Sequence, residues 1–411
     1  MDSTRRGFLS AGAFAGVGAG LGVAGDRLTA GDGARRSADR AMVEFYGGHQ
    51  AGIATRSQEH LQFAAFDLVS DALIDLRGLL ERWSAAAALL VQGRPVGALA
   101  TGNAPPVDTG EAVGLEPSSV TITFGLGPGV FVRGGRDRLG LAALRPAALA
   151  ELPAFPGEAL ESAVCGGDLG VQVCADDPQV AFHAVNSLIR LAGSVAVPRW
   201  LLAGFGRTSN SRSQLTPRNL MGFKDGTANI MVENERALDR FVWADGSGSS
   251  DWMRGGSYMV VRRIRMLLGA WDATGLSDQE ATFGRQKLSG APLGGLHEHD
   301  AIDLTSRVGG VPVIAKDAHI RLASPSYHGG ERILRRGYSF VDGIDPATDS
   351  AAGGLLFICY QRDPRLQFIP IQRRLASADA LNRHILHIGS ATFACPPGAT
   401  RGGFVGEALF A

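Results

Sequence analysis

One carboxylate in this chain stands where the backbone itself would fix it. Asp225 lies in Asn219-Leu220-Met221-Gly222-Phe223-Lys224-Asp225-Gly226-Thr227-Ala228-Asn229, bracketed by Gly222 and Gly226. Glycine is what a chain uses for positive φ or for close backbone approach to a ligand. The turn therefore holds one acid whose side chain faces whatever packs against it, although the same Asp-Gly pair also reads as an ordinary tight turn. His319 lies in Asp317-Ala318-His319-Ile320-Arg321-Leu322-Ala323-Ser324-Pro325, a strand-like piece closed by proline. Further on, Arg335 and Arg336 are adjacent, so in an extended chain their side chains leave in opposite directions and one can face inward. A core histidine and a surface arginine are the plain alternatives. His297 and His299 alternate with acids in Leu296-His297-Glu298-His299-Asp300, which invites a metal. Histidines at i, i+2 share a face only in a strand, and the glycines just before them argue for a polar loop. The four cysteines (Cys165, Cys174, Cys359 and Cys395) have no CxxC or His-rich spacing, which argues against zinc.

The elements that must position these groups are readable in outline. At 411 residues the chain suggests two domains. Leu61 to Leu68 reads as a buried strand. Asp71 to Gln92 carries Leu73, Leu76, Leu80, Trp83 and Ala87 at helical spacing. Ser119 to Val132 starts as an alternating strand and ends in glycines. Asp168 to Ala175 is a strand and Pro178 to Ala192 a helix; later come a strand at Ser257 to Met266 and a helix from Trp271 to Gln279. The stretch Gly167 to Phe182 and the stretch Gly353 to Phe368 follow one pattern, an apolar strand running into Asp-Pro and ending on phenylalanine. Proline fits the first helical turn, so Asp-Pro is a good helix start. The pattern predicts a duplicated α+β unit, antiparallel strands covered by helices on one face. The boundary falls in the polar link Arg207 to Pro217, giving units at 43–213 and 214–411.

Composition excludes some partners. Lys+Arg and Asp+Glu are 40 each, a formal net charge of +0, so nucleic acid is not expected. Residues 1–42 read as a leader: Thr4-Arg5-Arg6-Gly7-Phe8-Leu9 has the form of a twin-arginine signal, followed by an Ala/Gly-rich run. That run is too short and too weakly apolar for a membrane span of ~20 residues. Export of a folded, cofactor-loaded protein to the periplasm or the cell-envelope or extracellular space is the expectation.

Together the motifs resemble one family. Gly222-Phe223-Lys224-Asp225-Gly226-Thr227, Arg321-Leu322-Ala323-Ser324-Pro325 behind His319, Leu334-Arg335-Arg336-Gly337-Tyr338, Gly354-Leu355-Leu356-Phe357 with Tyr360-Gln361-Arg362-Asp363-Pro364, and Phe393-Ala394-Cys395-Pro396-Pro397-Gly398 are similar to the dye-decolorising haem peroxidases. Within them the chain looks most like the exported deferrochelatase/peroxidase branch that serves ferrous-iron uptake. The resemblance implies two ferredoxin-like α+β domains with haem b in the second. It makes His319 the proximal iron ligand. Asp225 becomes the distal acid that moves a proton between peroxide oxygens, and Arg335 the distal arginine that stabilises the anion. Gly226, Thr227 and Ala228 would touch haem, as would Ser324, Pro325 and Ser326, while Leu356 and Phe357 wall the distal pocket. Ser324-Pro325-Ser326 departs from the Asn-Pro-Arg common in that branch, so a haem propionate must find its cation elsewhere.

The implied activity is oxidation of bulky organic donors by hydrogen peroxide, with surface oxidation through Tyr338, Tyr360 or Trp271 as a route for donors too large to reach iron. Two alternatives stay open: release of iron from haem with the porphyrin intact, and a haem carrier without turnover. A carrier has no need of both an acid and an arginine on the open face. Association of identical chains is also expected.

Overall fold

The computed structural model describes residues 42–411 except 99–101, 328 and 347. The twin-arginine segment and all of the leader before Met42 lie outside the described residues.

The helices form where the apolar spacing placed them. α1 (Leu73–Leu90) buries Leu76, Leu79, Leu80, Trp83 and Ala87. α2 (Pro178–Ala192) starts at its proline, with the Asp177 side chain accepting from the backbone N–H of Gln179 and Val180. These helices cover a sheet made of β1 (His60–Leu68), β2 (Thr121–Leu126), β3 (Leu169–Ala175) and β4 (Ala196–Arg207). After α3 (Glu235–Phe241) come β5 (Ser257–Met266), α4 (Leu268–Asp272) and α5 (Leu276–Phe283). A hairpin of β6 (Arg307–Val308) and β7 (Val311–Pro312) follows, then α6 (His319–Leu322) and β8 (Leu334–Arg335). The chain ends with β9 (Tyr338–Asp345), β10 (Ser350–Gln361), α7 (Phe368–Ala378) and β11 (Ile385–Cys395).

Strand order shows the duplication. The first half runs β2-β3-β1-β4 and the second β9-β10-β5-β11, so in each half the first strand lies between the third and the fourth. That is the ferredoxin-like order, and the Asp-Pro repeat marks the third strand of each half. The two sheets do not stay separate. β4 pairs with β9 and β11 with β2 through short seams, and β10 also pairs with β5, so the sheet closes on itself with only the two-residue β8 outside. Closure removes most of the exposed sheet edges. The barrel interior is filled from both halves by Phe63, Trp200, Leu202, Met259, Phe340, Leu356, Ile358 and Phe393.

Three expectations are corrected locally. The helix expected over Trp271 to Gln279 is two short helices, because Gly275 leaves the helical region and starts α5. His319 opens a single helical turn rather than sitting in a strand; the Ala323 N–H bonds back to the His319 carbonyl at 2.9 Å. In the second copy of the repeat the helix begins at Phe368, not at Pro364. Asp363 spends its carboxylate on the backbone and guanidinium of Arg365, which makes a turn first.

Candidate active site

The Asp225 turn is built by its own polar side chains. The Asn219 carboxamide accepts from the N–H of Met221 and Phe223, the Gly222 N–H bonds to the Asn219 carbonyl at 2.9 Å, and the Asp225 N–H bonds to the Pro217 carbonyl at 2.8 Å. Both bracketing glycines are required. Gly222 has φ +83° and Gly226 φ +122°, and a Cβ on Gly226 would stand 2.6 Å from the backbone N and O of Ser209. Asn229 then ties the turn to β8: its Nδ2 donates to the Arg335 carbonyl at 2.8 Å, and its Oδ1 accepts from the Arg335 N–H at 2.9 Å.

That alignment brings the two distal candidates together. Arg335 Nη1 donates to Asp225 Oδ1 at 2.6 Å, with the acid side chain 10% and the arginine side chain 28% exposed. Arg336 takes the opposite direction, as the extended spacing predicted. It is fully buried in the barrel, donating to the Thr55 carbonyl and to the Gln58 side chain.

His319 is presented by the single turn of α6. Its Nδ1 is 2.6 Å from Asp379 Oδ2, and the Asp379 side chain is 2% exposed. With Nδ1–H committed to the carboxylate, Nε2 keeps its lone pair, the arrangement that prepares an imidazole for metal. One third of the His319 side chain is accessible, so the ring is open to a ligand on the side away from Asp379. Burial alone lowers the imidazole pKa. The charge and hydrogen bond of Asp379 more than reverse this, Arg335 opposes them and Asp225 adds to them, and the result lies above the ordinary value. Asp225 and Arg335 thus act through space on His319. An aromatic cluster joins the two sides, with Phe283 edge-on to His319 at 6.0 Å and stacked on Phe223 of the turn at 4.0 Å.

The remaining expected contacts divide. Gly226 is buried, Thr227 half-buried and Ala228 exposed on the turn. Ser324, Pro325 and Ser326 follow α6, with the two serine hydroxyls 2.9 Å apart. Phe357 and Leu356 cannot both wall one pocket. β10 alternates, so Phe357 shares the face of Arg335 and packs on Phe368. Leu356 is opposite Tyr338 and belongs to the barrel interior at 0% exposure. Leu355, on the other face of β10 from Leu356, is half-buried against the cluster that contains Met221 and Phe223 of the Asp225 turn. Tyr338, Tyr360 and Trp271 are at most 1% exposed, so none is a surface oxidation site. The four cysteines are free thiols, and Cys174, Cys359 and Cys395 are buried. His297 and His299 lie in the Gly294-to-Asp300 loop, and among the described residues no cluster could hold a metal ion. Asp379 and Asn229 carry no local motif for these roles. A ligating histidine is expected to have an outer hydrogen-bond partner, but nothing in the sequence names Asp379 as that partner.

Fold and site together define a duplicated α+β protein in which an imidazole held by a buried carboxylate and a carboxylate–guanidinium pair lie in the second half of the chain. Comparison with known proteins agrees. The profile described as Dyp-type peroxidase, N-terminal, matches residues 50–206, and that described as Dyp-type peroxidase, C-terminal, matches 216–400. The deferrochelatase of Escherichia coli strain UTI89 is 38% identical over 372 residues, covering 89% of this chain and 86% of that protein. Among solved structures, an oxyferrous/water mixed complex of DtpA from Streptomyces lividans superposes with a TM-score of 0.83 at 40% identity, covering 91% of this chain and 99% of the other. A DyP-type peroxidase from Cellulomonas bogoriensis superposes with a TM-score of 0.80 at 39% identity, covering 90% and 98%. The chain belongs to the Dyp-type peroxidase family and is a haem-dependent enzyme.

Proposed function

We propose that the protein is an exported haem b peroxidase that uses hydrogen peroxide to oxidise bulky organic donors. The observation that carries this reading is the 2.6 Å pair of Asp225 and Arg335, close enough for both charges to bear on His319. The donor set suits haem: one imidazole nitrogen is left free on a ring fixed by a buried carboxylate. Gly226, Thr227 and Ala228 on one side, Ser324, Pro325 and Ser326 on the other, and Phe357 would border the macrocycle. The cation missing from the Ser-Pro-Ser segment is supplied in this reading by Arg332. It donates to the Ala228 and Asn229 carbonyls and has no carboxylate partner among the described residues. When bound, haem supplies the redox centre that takes two oxidising equivalents from peroxide and returns them one electron at a time.

The protein's own groups handle the proton. Asp225 Oδ1 is held by Arg335, leaving Oδ2 to take the proton from one peroxide oxygen and give it to the other, so that water leaves. The guanidinium stabilises the negative charge that develops during this transfer. Leu355 and Phe357 exclude water from the space in which it happens. Purified protein mixed with peroxide should change its haem absorption and turn over a dye; an unchanged spectrum would instead describe a carrier.

A second reading is favoured by the 38% identity to proteins named deferrochelatase: the chain releases iron from haem in support of iron uptake. Iron-free protoporphyrin with an intact ring, formed in stoichiometric amount, would establish it over the first. The twin-arginine segment Thr4 to Leu9 supports export to the periplasm or cell-envelope space, and among the described residues no helix is long and apolar enough to cross a membrane. The repeated strand order supports two units at 43–213 and 214–411. The exposed apolar stripe Val197, Leu201 and Phe205 on β4 supports association of identical chains.

A further inference from the structure

One carboxylate outside the turn holds residues on both sides of Asp225. Glu298, 14% exposed, forms an ion pair with Lys224 Nζ through Oε2 and accepts from Thr227 Oγ1 at 3.0 Å through Oε1. Lys224 precedes Asp225 and Thr227 comes two residues after it, so the two arms straddle the acid. Thr216 also hydrogen-bonds the same carboxylate.

Glu298 is itself held from behind. Arg285 Nη1 donates to the Glu298 carbonyl at 3.1 Å and to the Gly290 carbonyl at 2.7 Å. A second tether runs between the same two segments: Arg218 Nη1 donates to the carbonyls of Gly222 and Lys287, and its Nη2 to that of Leu288. The loop from Arg285 to Asp300 is thus fastened to the Asp225 turn at both of its ends. Burial alone would raise the Glu298 pKa, but Lys224, Thr216 and Thr227 hold it below the usual carboxylate range, so the clamp stays charged at neutral pH.

We infer that Glu298 is a positioning residue: it clamps Lys224 and Thr227 so that the Asp225 carboxylate stays in register under Arg335. This rests on the reading of Asp225 as the proton carrier. Glu298 itself does not face Asp225 through any bond; it acts through the backbone between its two arms. A 1 Å displacement of a reacting group can cost about 100-fold in rate. The clamp fixes the side chains on either side of Asp225, where the bonds from Asp225 N–H to the Pro217 carbonyl and from Ser209 N–H to the Asp225 carbonyl fix only backbone.

The test uses haem-loaded protein and two readouts. Hydrogen exchange is followed in the peptide covering residues 217–230, with the barrel peptide 355–361 as the control for folding. The bimolecular constant for peroxide is measured by stopped flow beside the constant for a dye donor. Glu298→Ala should speed exchange in 217–230 about tenfold or more with 355–361 unchanged. It should also lower the peroxide constant about 10- to 100-fold and leave the donor constant within about twofold. Glu298→Gln keeps an acceptor for Thr227 and should recover part of both losses. Lys224→Met with Thr227→Val, which cuts the two arms and leaves Glu298 in place, should reproduce Glu298→Ala and serves if that variant does not fold. Exchange unchanged in all of these variants would overturn the clamp, whatever the rates do. Faster exchange with an unchanged peroxide constant, where Asp225→Asn does lose that constant, would overturn the positioning role of Glu298; an unchanged constant in Asp225→Asn itself would instead overturn the role of Asp225.

Discussion

Asp225 and Arg335 come from segments 110 residues apart and are joined side chain to side chain at 2.6 Å, while Asn229 joins the same two segments backbone to side chain. The acid and the arginine are therefore a coupled unit before any peroxide arrives. Asp225→Asn should lower the bimolecular constant for peroxide on the order of 10²–10⁴-fold, and Arg335→Leu should lower it by a comparable factor. Because each partner positions the other, the double variant should lose much less than the product of the two losses. Coupling of about 0.5–3 kcal/mol in a double-mutant cycle is the expected outcome. Strict additivity would mean that the pair works as two separate groups.

Asp379 offers a separate handle through the His319 imidazole. Asp379→Ala removes the acceptor for His319 Nδ1 and also the cap on the Leu381 N–H. Loss of such an outer partner costs about 10–100-fold in metal affinity or activity. Haem transfer to an excess of apomyoglobin should speed up by that order, and Asp379→Asn, which keeps an acceptor but not the charge, should fall between. A transfer rate within twofold of the parent would show that Asp379 does not support the imidazole.

What the chain disclosed in advance followed the range of the forces involved. The Gly222–Asp225–Gly226 turn, the opposed pair Arg335 and Arg336, and the strand-to-Asp-Pro repeat are local, governed by φ/ψ limits and strand alternation, and all are legible in sequence. Barrel closure is not, because its seams rest on as little as the pairing of Ala394 with Leu126. Placing Leu356 beside Phe357 ignored the alternation that had separated the two arginines correctly. Asp379 lies 60 residues from His319 and Glu298 lies 74 from Lys224, and neither stands in a motif that names its partner. His319 looked extended because a single helical turn is too short to impose a period.

Asn229 should matter for stability as well as for alignment. Its carboxamide bonds Arg335 N–H, Arg335 C=O and Ser209 C=O, and it is 4% exposed. Asn229→Ala leaves those backbone groups without partners, at a cost of about 1–3 kcal/mol. A lowered Tm, together with a slower reaction with peroxide, is the expected result. Asn229→Asp restores only the acceptor and should not recover the parent Tm.

The ion pair of Arg262 and Glu158 is a different kind of fastening. Arg262 on β5 is 1% exposed and Glu158, from the first half of the chain, has a side chain 7% exposed. Burial pulls the arginine pKa down and Glu158 holds it up. Removing only the acid strands a buried cation, so Glu158→Gln should cost about 3–5 kcal/mol in denaturant unfolding. Arg262→Met with Glu158→Leu should cost far less, because both desolvation penalties vanish together. Equal losses in the two variants would mean that packing, not charge, is what these residues contribute.

Acid should weaken the fold in two steps that can be told apart. Burial and the charge of Arg262 push His387 from about 6.5 down to about 3, so the folded protein keeps this imidazole neutral while the unfolded chain protonates it. Stability from that difference is present above pH 6.5 and is lost as pH falls from there towards 3. Glu111 moves from 4.5 to about 2: burial would raise it, but hydrogen bonds from Thr109 and His183 and the charge of His183 prevail. Its contribution is present above pH 4.5 and is lost between there and 2. His387→Phe should therefore flatten the decline of Tm between pH 6 and about 4.5, and Glu111→Gln only the decline below it. If His387→Phe leaves the slope above pH 4.5 unchanged, the imidazole is not held neutral in the folded protein.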